Sequence, residues 1–299
     1  MSDPFSSAAL VERLPRAVYR VTGERPLDYL HDVLAQDVVE LVAGSGAISA
    51  LLTADGRVAA EVRVLVLEND VLVDSDDAAR DGIEQHIVRH AGLAGCDVVD
   101  TGYGVAALRG PGADRALMAA GWIAPPENEA SSVAREGLLI VRVAWGVPGV
   151  DIIGPPGVLE AAVRSLDVPN ATREDLDAAR IAAGRPAFGR DIDDTTLVNE
   201  TPLLGRGVSM SKGCYPGQES VARVHNLGRV RRMLRGLTAE SELEVGAELR
   251  IDSAVVGKIT SAAPSPNETF AAIALVRSEV EPGARVAAGD TTAVVGTLP

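Results

Sequence analysis

Ser211-Lys-Gly-Cys-Tyr-Pro-Gly-Gln-Glu-Ser-Val-Ala-Arg223 gathers a thiol, two cations, a carboxylate, an amide, an aromatic ring and two glycines into thirteen residues. Packing alone does not require such a density of reactive and permissive side chains. Pro216 and Gly217 mark a turn, and residues 218–224 read as a short helix that ends at Asn226-Leu-Gly228. Cys214 therefore falls just ahead of a helix N-terminus. Backbone N–H groups there, with Lys212 and with Arg206 or Arg223 nearby, favour thiolate over thiol. Gly213 and Gly217 carry no Cβ and let the backbone approach a ligand closely. A plainer reading, a free cysteine acting as a buried inert hydrophobe, also stands. The polar and charged neighbours weigh for a site.

Upstream of this stretch, residues 172–183 read as a helix with Thr172 as N-cap and Asp175 in the manner of a capping box. A long polar loop from Gly184 follows, and loops of that length in compact domains are often functional. It carries Gly184, Pro186, Gly189 and Asp191 at fixed offsets from Arg180. Between Arg206 and Arg235 the chain holds Arg206, Lys212, Arg223, Arg229, Arg231, Arg232 and Arg235 against one acid, Glu219. Lys212 and Lys258 are the only lysines, so arginine fills almost every other basic position and a lysine at 212 is a specific choice.

Lys212-Gly213-Cys214-Tyr215-Pro216-Gly217-Gln218-Glu219, followed by Arg223, resembles the K-G-C-Y-x-G-Q-E motif of the YgfZ family. These are folate-binding proteins related to the glycine-cleavage T-protein, an aminomethyltransferase. The run Arg180, Gly184, Pro186, Gly189, Asp191 is similar to that family's R-x-x-x-G-x-P-x-x-G-x-[DE] pattern. The resemblance implies a tetrahydrofolate-binding protein, taking the folate or a one-carbon derivative of it, that supports assembly or repair of iron–sulfur clusters in client enzymes. Cys214 and Lys212 would then be its reactive groups, and iron–sulfur client or assembly proteins its partners. By the same resemblance Arg180 is associated with folate contact, and Glu61, Asp74 and Asp151 stand near positions that contact the pteridine or the reacting carbon. Ala60-Glu61 departs from the paired aspartates of the aminomethyltransferases. One methylene moves a carboxylate on the order of 1 Å, enough to cost roughly 100-fold in rate, so aminomethyl transfer stays an alternative and not the leading expectation. A non-catalytic module whose basic 223–235 segment docks an acidic partner is a second alternative.

The remaining sequence bounds the fold. Its 299 residues, 46% hydrophobic and 23% charged, describe a globular chain long enough for a large core. Residues 17–22 alternate like a strand and run into a helix opened by Pro26; residues 105–109 run likewise into Gly110-Pro-Gly and another helix. Each unit continues with paired strands and a helix: 62–67, 71–74 and a helix from Asp76 in the first; 138–143, 150–153 and a helix after Pro156 in the second. This predicts a duplicated β-α-β-β-α arrangement, an α+β module over residues 1–232 with two lobes meeting near 95–104. The T-protein-like fold that the resemblance implies, α+β lobes around a central opening, agrees. Short alternating runs at 233–237, 247–251, 254–259, 270–276, 285–288 and 292–295 predict a small antiparallel β-barrel over 233–299, with a turn at Ala263-Pro-Ser-Pro-Asn267.

Some functions are disfavoured. A formal net charge of −14 repels phosphate at long range and argues against general nucleic-acid binding. The longest uncharged stretch, residues 41–54, is too short and too broken by glycine and serine to span a bilayer. The first residues show no basic or apolar signal regions, and Cys96 and Cys214 match no disulfide or zinc spacing, so a cytoplasmic location is expected. No phosphate loop, dinucleotide fingerprint, H-E-x-x-H or G-x-S-x-G occurs. His86 and His90 share a helix face without a third ligand, so no metal-binding residue is expected.

Overall fold

The computed structural model describes residues 3–228, 230–265 and 269–298. In chain order the strands of its first half are β1 (Ala9–Val11), β2 (Arg16–Gly23), β3 (Gly46–Leu52), β4 (Val58–Val66), β5 (Val71–Asp76), β6 (Cys96–Asp100), β7 (Gly104–Arg109), β8 (Ser132–Arg135), β9 (Leu138–Val143) and β10 (Gly149–Gly154). They form two antiparallel five-stranded sheets, in the orders β3-β4-β5-β2-β6 and β1-β7-β10-β9-β8. Read from opposite edges, the two orders superpose strand for strand, so the duplication expected from the sequence is present. The equivalent of β6 in the second sheet is β1, which reaches it from ahead of the first sheet.

Both faces of each sheet are covered. Ala60, Val62 and Val64 of β4 point outward with Val73 against Leu30, Ile83 and Ile87 of the flanking helices. Ala106, Ile140 and Ile152 do the same for the second sheet, against Leu117 and Leu159. The inner faces meet through Val18, Leu65 and Leu72 on one side and Val105, Leu139, Val141 and Ile153 on the other. The result is four layers, helix, sheet, sheet, helix. Because side chains alternate along a strand, the inner faces can be followed residue by residue. On β4 they run Leu65, Arg63, Glu61; on β5, Leu72, Asp74, Asp76; on β10, Ile153, Asp151, Gly149. The space between the sheets thus grades from apolar, through ionic, to an open cleft.

Strands β11 (Arg232–Ala239), β12 (Glu248–Ile251), β13 (Ala254–Ser265), β14 (Thr269–Arg277), β15 (Arg285–Ala288) and β16 (Thr291–Gly296) close a six-stranded barrel in the order β11-β14-β13-β12-β15-β16. The turn expected at Ala263–Asn267 is corrected in part: Pro264 and Ser265 are strand residues, paired with Phe270 and Thr269, while residues 266–267 lie outside the described residues. Between the sheets and the barrel runs the helix Arg173–Ala182, whose Thr172–Asp175 capping box is formed. Among the described residues no helix is long and apolar enough to cross a membrane.

Candidate functional site

Two separate places carry the residues singled out by the sequence. The first is the cleft, about 550 Å³, where the open ends of the two sheets face the helix Arg173–Ala182 and the loop after it. Glu61, Asp151 and Arg180 line it, and Asp74 lies directly behind. The second is the 211–223 stretch, which does not line the cleft.

The cleft floor is an ionic chain across the sheet interface. Arg63 stands opposite Asp74 in the β4–β5 register and grips it with Nε on Oδ1 at 2.8 Å and Nη2 on Oδ2 at 2.5 Å. Its Nη1 reaches the second sheet, 2.6 Å from Asp151 Oδ2. Arg16 Nε donates to Asp74 Oδ2 at 2.8 Å, and Arg109 Nη2 to Asp151 Oδ1 at 2.5 Å. Every aspartate oxygen is engaged, and both side chains are almost wholly buried. Burial alone would raise the Asp151 carboxyl; Arg109 and then Arg63 outweigh it and hold the group far below its ordinary value. Asp74 follows the same pattern, with Arg16 and Arg63 prevailing over burial. These two acids, expected near a pteridine, are therefore saturated by guanidinium.

Glu61 is likewise held. Arg185 forks onto both of its oxygens, one contact at 3.1 Å. The guanidinium lies over the Trp145 ring, 3.7 Å from its centroid, and Arg206 covers the ring from 4.7 Å. Such cation–π contacts contribute about 0.5–2 kcal/mol each. Trp145 Nε1 is buried without a hydrogen-bond partner among the described residues. Beside it, Glu129, which lines the cleft, accepts from Ala144 N and Trp145 N, both at 2.7 Å and both on Oε2, so its Oε1 has no hydrogen-bond partner among the described residues.

Arg180 is a structural hub. Its guanidinium donates to Asp177 at 2.6 Å, Asp191 at 2.7 Å, the Arg185 carbonyl at 3.1 Å and Ser261 Oγ of the barrel at 3.0 Å. Helix, loop and barrel are tied at one residue.

In the second place, the helix Gln218–Leu227 starts where expected, after Gly217 at φ +85°. A Cβ there would meet the Thr53 carbonyl oxygen at 2.5 Å, so the close approach expected at Gly217 is to the chain itself. A Cβ on Gly213 would meet nothing within 4 Å. Lys212 is buried. Its Nζ donates to the carbonyls of His31 and Leu34, the latter at 2.8 Å, and reaches that of Gln36 at 3.4 Å, where the helix Pro26–Val33 ends. Burial pushes its ammonium pKa down, with Asp37 and Asp32 opposing. Tyr215 is buried under Lys212, 5.5 Å from ring centroid to Nζ. Gln218 Nε2 reaches back to the Lys212 carbonyl at 3.4 Å. These contacts anchor the stretch, and Cys214 stands on it exposed, with Glu219 and Arg223 exposed on the adjoining helix.

Sequence reasoning missed Arg16, Arg63, Arg109, Glu129, Trp145 and Arg185. A signal for two of them was present: a lone charge at the edge of or inside an apolar strand run, as in Val62-Arg63-Val64 and Ala107-Leu108-Arg109, requires a buried partner.

No family model matches the chain. It is 38% identical over 82 residues to a putative chloroplastic transferase of Arabidopsis thaliana, a match spanning 27% of this chain and only 19% of that protein. It is 27% identical over 282 residues to the mitochondrial aminomethyltransferase of Gallus gallus, covering 83% of this chain and 68% of the relative. To the tRNA-modifying protein YgfZ of Colwellia psychrerythraea it is 23% identical over 235 residues, 78% of this chain and 72% of that one. Among solved structures, the glycine cleavage system aminomethyltransferase T of Bartonella henselae superposes with a TM-score of 0.89 at 21% identity, over 99% of this chain and 87% of that one. The chain thus has the fold of aminomethyltransferase T, and its relatives include both an aminomethyltransferase and a YgfZ protein.

Proposed function

We propose that this protein binds tetrahydrofolate, or a one-carbon derivative of it, in the central cleft and supports assembly or repair of iron–sulfur clusters in cytoplasmic client enzymes, with Cys214 as its reactive thiol. The observation that carries this reading is the division of labour in space: a ligand-sized cleft inside, and an exposed cysteine on an anchored stretch outside. The cleft suits a folate in kind. Phe188 supplies an apolar wall, the Arg185 guanidinium plane a stacking surface, and Glu129 Oε1 an acceptor for pterin N–H groups. Folate supplies one-carbon chemistry when bound. A single thiol cannot hold a four-cysteine cluster, so Cys214 serves as a transient ligand or redox group for a client.

Aminomethyl transfer is the rival reading, favoured by the aminomethyltransferase T fold. Against it, Ala60 is fully buried and Glu61 is clamped by Arg185, which leaves no free carboxylate where that chemistry would need one. Anaerobic calorimetric titration of tetrahydrofolate into wild type, Cys214→Ala and Glu129→Gln tests the leading reading. Saturable binding in the first two, weakened about tenfold or more in the third, is expected. No heat in wild type at near-millimolar folate removes the folate reading. In cells lacking the protein, wild type and not Cys214→Ala should restore iron–sulfur enzyme activity.

A further inference from the structure

The ionic chain under the cleft is unbalanced. Arg16, Arg63 and Arg109 face only two carboxylates, Asp74 and Asp151, so the floor holds three positive charges against two negative. Arg63 and Arg109 are each more than nine-tenths buried, and all of the chain except Asp74 lines the cleft. Within the chain, Arg16 has the least committed guanidinium. Its Nε is bound to Asp74, while Nη1 and Nη2 have no hydrogen-bond partner among the described residues, and its side chain is 18% exposed. Arg173 lines the same side of the cleft, docked through Nε on the Arg13 carbonyl at 2.9 Å.

The other carboxylates of the cleft are engaged elsewhere or stand at its rim. Glu61 is forked by Arg185 and Asp177 is shared by Arg180 and Arg190. Asp76, across the β2–β5 ladder from Arg16, accepts from Ala78 N at 3.1 Å. Glu129 caps the backbone at Trp145. Glu174 is exposed at the start of its helix. None of them forms an ion pair with Arg16.

From this geometry we infer an oxyanion subsite at the cleft floor, in which the free Nη edge of Arg16, backed by the Arg63–Arg109 excess charge, receives a carboxylate or phosphate group. A planar fork of two N–H donors matches either group bidentately. The inference deepens the folate reading by assigning the glutamate carboxylates of the folate to Arg16; a free oxyanion, such as phosphate, is the other source of the same chemistry.

Three probes separate the sources, each titrated into the full chain carrying Trp122→Phe, so that Trp145 at the cleft reports by fluorescence. They are N-(4-aminobenzoyl)-glutamate, which is the tail alone; 6-methyltetrahydropterin, which has no tail; and inorganic phosphate. The tail fragment should bind, and Arg16→Gln should weaken it about tenfold or more without changing pterin binding. Arg16→Lys keeps a cation beside Asp74, and with it the fold, but loses the fork; it should show most of the same loss. Phosphate binding that depends on Arg16, with no binding of the tail fragment, supports the subsite and assigns it to a free oxyanion. Tail and phosphate affinities equal in wild type, Arg16→Gln and Arg16→Lys overturn the subsite and leave the folate reading standing. If tetrahydrofolate fails to bind and phosphate binds through Arg16, the folate reading fails and the subsite survives.

Discussion

Arginine sets the character of the cleft residue by residue, because each guanidinium fixes an acid that a folate-binding site would otherwise present to its ligand. Asp151 shows the consequence for stability. Its carboxyl is held below the ordinary value of about 3.8, so the folded state favours the ionised form. That contribution is complete above the ordinary value and fades as pH falls through the depressed folded value. Asp151→Asn should therefore cost about 3–5 kcal/mol at pH 7, since it leaves buried guanidinium unpaired. It should also lose less stability than wild type between pH 5 and roughly pH 2; urea titrations across that range check both. Gly217 gives a second prediction at this scale. With φ at +85° and a carbonyl oxygen 2.5 Å from the position of a Cβ, Gly217→Ala should cost about 1–3 kcal/mol, read as a drop in urea midpoint.

At the scale of elements, the strands that could be read from the sequence were the central ones. β2, β4, β5, β7, β9 and β10 are covered on both faces and write themselves as apolar runs. β3, β6, β1 and β8, the four edge strands of the two sheets, went unread. β1 has three residues and β8 four, and β6, Cys-Asp-Val-Val-Asp, has mostly exposed side chains. β1 and β8 are too short and β6 too exposed to leave a pattern, while β3, with five of its seven residues buried, is masked by its small residues Gly46, Ala47, Ser49 and Ala50. The barrel was legible because its six runs alternate and are separated by glycine and proline. The capping box of the helix Arg173–Ala182 was legible too, since it depends on residues three apart. Thr172 accepts from Asp175 N at 3.0 Å while Asp175 accepts from Thr172 N at 2.9 Å. Thr172→Ala should cost about 1 kcal/mol, measured as a shift in thermal midpoint, and should loosen the wall of the cleft that carries Arg180.

For the whole molecule, the motif resemblance pointed to the right fold but gave no map of where the parts meet. The 211–223 stretch and the 180–191 run sit close in sequence and carry different places in the structure. Their separation follows from Lys212, whose ammonium turns inward to the end of the helix Pro26–Val33 and leaves Cys214 facing out. Arg16, Arg63, Arg109 and Arg185 lie on three strands and a loop scattered from residue 16 to residue 185, and only the packing of the two sheets gathers them. Under the proposed function, the small molecule would bind between the sheets and a protein client would meet the thiol. Hydrogen–deuterium exchange with and without tetrahydrofolate locates the ligand directly. The expected result is new protection in residues 184–190 and in the turn carrying Trp145, with the amides of 211–217 unchanged. Protection confined to 211–217, with the cleft unaltered, would contradict it.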